Sequence, residues 1–297
     1  MPITKATANV VDFASPTSQI IAIPGDNLAT KYAQAKTLTP QGNALSSTNR
    51  ATLIIYPGTY TLSTTLTIDA EFVDIYGVGS QRWSPVVFFT GASINVSAND
   101  INVTGIGSNS ASLRTTGSKP LSHFENCSGV SESFGYGIGN PASGTYIGCY
   151  VFGNGGCFGT FAAADGRFVD CRVIGTSAFA SGTSADAAQI ASGIFDRCSA
   201  QSQSFGWGGG FSGTAYNCQG STNAFGATPV SGSTGISGTL YNCVGGANSF
   251  GGGTALGTRI TGRLYYCRLT SGTFQTVTSP GITRLCIDGS NVENNQG

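Results

Sequence analysis

Eight of the nine cysteines recur along the chain with the regularity of a structural repeat. Cys127, Cys149, Cys171, Cys198, Cys218, Cys243, Cys267 and Cys286 follow one another at 22, 22, 27, 20, 25, 24 and 19 residues, and only Cys157 stands outside the series. No two cysteines form a C-x-x-C pair and His123 is the single histidine, so the set lacks both the spacing and the nitrogen partners of a zinc site. No metal and no cofactor is expected. A second series, Phe134, Phe158, Phe179, Phe205, Phe225, Phe250 and Phe274, trails the first by seven to nine residues. One thiol and one ring per repeat, separated by Gly, Ser, Thr and Asn, is what a coil of short strands needs if like residues stack over like. The pattern predicts an all-β fold, a parallel β-solenoid whose cysteines form an inert buried column.

The frame continues upstream. VDIYGVGS at 73–80 repeats as INVTGIGS at 101–108, an offset of 28 residues. Carried through, it sets Ile55, Ile75 and Val103 in one column with the cysteines and gives about eleven turns. Around Cys171, the apolar Val169, Cys171 and Val173 alternate with Asp170 and Arg172; around Cys149, Ile147, Cys149 and Val151 alternate with Gly148 and Tyr150. Each run reads as one half-buried strand passing through the cysteine.

This architecture accounts for the composition. Only 9% of residues are charged, against about 25% in an average domain. Stacked turns satisfy their backbone against one another and need few charges, while the 44 glycines supply corners. Fourteen Lys+Arg balance fourteen Asp+Glu with no basic cluster, so nucleic acid is not an expected partner. No apolar run reaches the length of a membrane span and MPITKATANV does not read as an export signal, so neither membrane insertion nor disulfides are expected.

Four segments are expected. Residues 1–25 carry too few apolar positions to fold alone and read as a docking segment. Residues 26–50 read as a capping helix and loop, with Asp26 as helix cap, Leu28, Tyr32, Ala35 and Leu38 at helical spacing, and Pro40 beyond. Residues 51–290 form the solenoid, and 291–297 a polar tail.

The run LIIYPGTYTLSTTLTID followed by VDIYGVGS, behind a short helix, resembles the opening turns of the right-handed, pectin-lyase-like parallel β-helix family. The resemblance implies a right-handed coil with a helix over its N-terminal mouth. Separately, MPITKATANVVDF resembles the start of tail spike and tail fibre proteins of tailed bacteriophages. That similarity implies a virion protein, assembled in the host cytoplasm and acting at the host cell surface. It further implies attachment to other tail or baseplate proteins through residues 1–25, a homotrimer, and adhesion to a host surface glycan. Two alternatives stay open: a polysaccharide depolymerase, lyase or glycoside hydrolase, with an intersubunit site, and a purely structural collar or head decoration.

Candidate sites follow from these readings. A hydrolase needs two carboxylates some 5 to 10 Å apart. Glu125 and Asp196 occupy equivalent places three turns apart, roughly 14 Å, which is too far. Asp165, Asp186 and Asp196 are the remaining catalytic candidates, Asp186 lying in the insertion TSADAAQ. Asp170 and Arg197 are expected as an ion pair between successive turns, and His123 as a surface residue. SFGYGIG at 133–139 and SFGWGGG at 204–210 are the same corner, so Tyr136 and Trp207 are expected in one column as a sugar-binding strip. The competing reading packs Tyr136, Trp207, Tyr150 and Tyr266 against neighbouring subunits.

Overall fold

The computed structural model describes residues 18–81, 83, 85–108, 110–135, 140–153, 157–159, 161–175, 178–180, 190–226, 235–251, 260–274, 281–290 and 292–296. Strand is the main regular structure, arranged in a large parallel sheet beside two smaller ones, with one short α-helix: an all-β parallel solenoid.

The helix spans Leu28–Lys36 and covers the N-terminal end of the core, burying Leu28, Tyr32 and Ala35. Its cap is Asn27, whose side chain accepts from Thr30 N at 3.1 Å, and not the expected Asp26. Asp26 instead accepts from Ile23 N and pairs with Lys31, closing the turn ahead of the helix. Tyr32 anchors the helix to the wall below: its hydroxyl accepts from Asp69 N at 2.9 Å and Ala70 N at 2.8 Å. The strand Gln19–Ala22, inside the expected docking segment, pairs in parallel with Ala51–Ile55 and so belongs to the solenoid. Residues 1–17 lie outside the described residues.

One continuous register defines the main face. Leu53, Ile75, Val103, Phe124, Tyr146, Phe168, Phe195, Ala215, Leu240, Leu264 and Thr283 pair successively. The 28-residue offset between Ile75 and Val103 holds. The expected column does not: Val103 stacks on Phe124 and not on Cys127, and Leu53, not Ile55, stands above Ile75. The thiols form a separate column three residues further along each turn.

The reason is a sharp corner. The residue before each cysteine of the column, Asn126, Gly148, Asp170, Arg197, Asn217, Asn242, Tyr266 and Leu285, has positive φ. That conformation breaks the strand and redirects the chain, so each expected continuous strand is two strands at an angle. Thr145–Ile147 and Tyr150–Phe152 meet at Gly148; Arg167–Val169 and Arg172–Ile174 meet at Asp170.

The turns change character along the chain. The first ones contribute three strands each: Ala51–Ile55, Gly58–Leu62 and Leu66–Ile68, then Val73–Gly77, Val87–Gly91 and Ile94–Val96. Their core is mainly aliphatic, with Leu53, Ile55, Leu66, Ile68, Ile75, Ile94, Val96 and Val103, and its buried rings are the paired Tyr60 and Phe89. From His123–Glu125 onward the turns keep two short strands, and bridges such as Ala191 to Phe211 to Ile236 to Ile260 replace the third. Here two ring columns meet. Phe134, Phe158, Phe179, Phe205, Phe225 and Phe250 stack at 4.6 to 5.1 Å, and Phe124, Tyr146, Phe168 and Phe195 at 4.9 to 5.1 Å. Between the columns the contacts are edge to face, as at Phe168 and Phe179 (5.5 Å, 79°). Both geometries suit the ring quadrupole.

The thiols are the third column. All nine cysteines are buried, and the eight of the column are free thiols. Most column members donate to a carbonyl of the turn before, Cys171 Sγ to Tyr146 O at 3.3 Å and Cys198 Sγ to Phe168 O at 3.4 Å. A fourth column contains only glycine: Gly144, Gly166, Gly193, Gly213, Gly238 and Gly262. A Cβ at Gly213 would lie 2.2 Å from Gly193 O, so no side chain fits there. At the far end Glu293–Gln296 folds back antiparallel on Ile282–Ile287, giving the expected polar tail a paired strand that covers the sheet edge.

Candidate functional site

The second face of the narrow turns carries a groove. Its strands, Arg172–Ile174, Ser199–Ala200, Gln219–Gly220, Val244–Gly245 and Arg268–Leu269, align Arg172, Ser199, Gln219, Val244 and Arg268 in one column. Val173, Ala200 and Leu269 are buried. The neighbours in that column, and Gln201, Ser221, Gly246 and Thr270 just beyond, are mostly small or neutral polar. Short side chains recess the surface into a groove of about 530 Å³. Trp83, reaching in from the connection between Val73–Gly77 and Val87–Gly91, stands at the Arg172 end. Its Nε1 donates to Asp170 O at 2.9 Å, and the Arg172 guanidinium lies 5.8 Å from its ring centre.

The groove combines an indole, one cation, and the hydroxyls and amides of Ser199, Ser221, Thr270, Gln201 and Gln219. An aromatic face flanked by neutral hydrogen-bonding groups is suited to a sugar chain. No carboxylate is among the described residues lining it.

The carboxylates are mostly engaged elsewhere. Asp74 and Asp100 receive Arg50, whose Nε, Nη1 and Nη2 reach them at 2.7 to 2.8 Å and tie three turns together. Asp69 pairs with Lys36 at 2.9 Å and Glu132 with Arg114. Asp170 accepts from Arg197 Nε at 2.8 Å, the pairing expected from the repeat, and Asp196 accepts from Arg197 Nη1 at 2.7 Å. Asp196 is therefore bound in an ion pair on the first face. Glu125 lies 3.7 Å from His123, which is partly exposed on its strand. Register confirms that Glu125 and Asp196 stand three turns apart.

Asp165 is solvent-accessible at the corner before Arg167, and partial desolvation by the surrounding chain raises its carboxyl pKa against a backbone hydrogen bond that lowers it. Neither Asp165 nor Asp196 lines the groove. Asp186 lies outside the described residues, and so does Tyr136. Trp207 is 7% exposed, tucked under the Gly206–Gly210 bend, whose ends are joined by Gly210 N to Gly206 O at 2.8 Å. Its ring therefore presents no face to a sugar, which removes it from the expected strip.

Two aromatic features escaped the sequence reading. Trp83 sits in RWSP, in a connection between strands that the repeat frame treats as filler. Its signal was the length of the first turns. The other feature is a stack of Tyr216, Tyr241 and Tyr265 on the outer main face, with centres 5.3 and 4.9 Å apart. AYNC, LYNC and LYYC announce it: a tyrosine two residues before three successive cysteines. These rings cover one another's faces and expose edges, which disfavours sugar stacking. A recess of about 490 Å³ at the end of the stack is lined by Tyr265, Tyr266, Arg284 and Asn295. Among the described residues no cluster of three or more metal-ligating side chains occurs. No family model and no curated protein matches the chain.

Proposed function

We propose that this chain is a β-helical tail spike or tail fibre subunit of a tailed bacteriophage that adheres to host surface polysaccharide. In this reading the coil is right-handed, has about eleven turns and assembles as a trimer, and residues 1–25 attach it to the virion. The similarity of the opening turns to the pectin-lyase-like family and of the first residues to phage tail proteins supports it. The observation that carries the adhesive role is the groove, where Trp83 and Arg172 stand over a floor of Ser199, Ser221, Gln201 and Gln219. Its lining of hydroxyls, amides and one guanidinium, with no carboxylate among the described residues, favours binding without hydrolysis.

The test is binding of purified full-length chain to host capsule and lipopolysaccharide preparations, alongside Ser221→Trp, which fills the groove. The expected result is saturable binding by the parent, loss of at least about tenfold in affinity for the variant, and no new reducing ends or unsaturated sugars. Absence of polysaccharide binding, or equal binding by Ser221→Trp, overturns the reading.

The depolymerase reading keeps one specific support: Asp165, exposed and raised in pKa, has no ion-pair partner among the described residues. Release of sugars that is abolished by Asp165→Ala would establish it in place of simple adhesion.

A further inference from the structure

We propose that Trp83 closes one end of the groove, so that the site reads the terminus of a glycan chain and not its interior. The inference rests on the adhesive reading above and adds to it a direction and a specificity residue.

The connection carrying Trp83 does not stay with its own turn. Ser80 Oγ donates to Gly105 O, and Pro85 packs over Gly107, where a side chain's Cβ would lie 2.4 Å from Pro85 Cγ. Gly107 belongs to the strand Ile106–Ser108, against which Ser128–Val130 lies; the same Cβ position would be 2.4 Å from Ser128 Oγ. From Ser128–Val130 the pairing runs on to Tyr150–Phe152 and Arg172–Ile174. The strap therefore travels down the face that becomes the groove, and it stops where the groove begins. At that point the Nε1 bond to Asp170 O fixes the indole 87 positions away from its acceptor, and the Arg172 guanidinium lies 5.8 Å from the ring centre.

Beyond Trp83 the lining passes through the turns of Arg172, Ser199, Gln219, Val244 and Thr270. Four steps of about 4.8 Å give a track roughly 19 Å long. A chain laid along it meets the indole at the Arg172 end, and continuing would take it into the strap. A terminal sugar has no such continuation. It packs its apolar face on the indole and turns its hydroxyls toward the guanidinium of Arg172, which has no carboxylate within ion-pair distance among the described residues. The remaining sugars lie over Ser199, Gln219 and Ser221. The ligand class is thus the free end of a linear, largely uncharged glycan.

The experiment is an array of linear oligosaccharides of glucose, galactose, mannose, rhamnose and N-acetylglucosamine in graded lengths, with each longer chain also presented blocked at its non-reducing end and at its reducing end. Full-length parent, Trp83→Ala and Trp83→Phe are compared. For the parent, affinity per chain is expected to level off once the groove is filled, and blocking one of the two ends should weaken binding about tenfold or more. Trp83→Ala should lose that end preference and bind long chains in proportion to the number of repeats; Trp83→Phe should retain it. Parent affinity that keeps rising in proportion to repeat number, or insensitivity to both blocks, overturns the inference while leaving adhesion standing. A parent that binds no member of the array overturns both.

Discussion

The wide turns before residue 116 and the narrow turns after residue 122 solve the same stacking problem with different chemistry. Three strands per turn enclose a broad section, which branched aliphatic side chains from Leu53, Ile75, Ile94 and Val103 fill from several directions. Two short strands and left-handed corners leave a flatter section, and there the filling is by plates: rings from Phe134 to Phe250 lying parallel, crossed by Phe124, Tyr146, Phe168 and Phe195. Charge follows the same division. Arg50 binds three wide turns from a largely buried position, whereas Arg197 links narrow turns from the surface. The cross-section, more than the fold class, decides which residues a turn can use.

The largest effect should come from breaking a plate. Phe205 stacks on Phe179 and Phe225 and meets the edge of Phe195, so Phe205→Ala is expected to cost about 3–5 kcal/mol in guanidinium denaturation. Ile75→Ala, in the wide turns, should cost less, about 2–4 kcal/mol, because branched neighbours close in around the gap. A larger loss at Ile75 would contradict the contrast. Next comes Arg50→Ala, which leaves Asp74 and Asp100 without their cation and should cost about 1.5–3 kcal/mol. The matching surface change, Arg197→Ala, should leave the denaturation midpoint unchanged within error, since exposed pairs contribute little. A marked shift there would erase the distinction between the two linkages.

Gly213→Ala should fall in a similar range to Arg50→Ala, about 1–3 kcal/mol, because the new Cβ meets the backbone of the next turn and not a movable side chain. Alkali should then separate the halves. Burial pushes the thiols of Cys127, Cys171, Cys198, Cys218, Cys243 and Cys267 above their ordinary values. Groups raised in the fold stabilise it fully below their unfolded pKa, about 8.5, and that stability drains away above it. Each such thiol removes about 1.4 kcal/mol per pH unit. No cysteine precedes residue 127. Hydrogen exchange between pH 8 and 10, corrected for its intrinsic rate, should therefore show protection failing first in residues 127–286. Loss of protection first at 51–115 would count against the thiol column as the cause.

Much of the narrow half was legible because its repeats share residue types. Cys and Phe recur, so their columns and the Asp170 to Arg197 pairing could be read directly. The frame broke where two geometries share one apolar alphabet. Ile75 and Val103 looked like counterparts of Cys127, since a period-two pattern runs through Cys149 and Cys171, and nothing in the letters announces that the residue before each of these cysteines takes positive φ. Asn27 was missed as the helix cap because Asp26, beside it, is an equally good candidate until the turn at Ile23 claims its carboxylate. The groove was the least legible. Ser199, Gln219 and Ser221 are ordinary turn residues in sequence, and they become a binding surface only when stacking aligns them and a tryptophan from far upstream is laid against their end. Trp207, the more conspicuous tryptophan because it sits in the repeat, is buried for that same reason.

The glycine file from Gly144 to Gly262 sets each layer directly against the carbonyl of the one before it, leaving no slack between layers. Such a molecule lengthens only in whole increments. A segment cut from one of these glycines to the next carries a complete set of corner, thiol, plate and spacer, so its loss or duplication by recombination keeps every remaining layer in phase. Reach then becomes a heritable integer, adjustable without redesigning the ends.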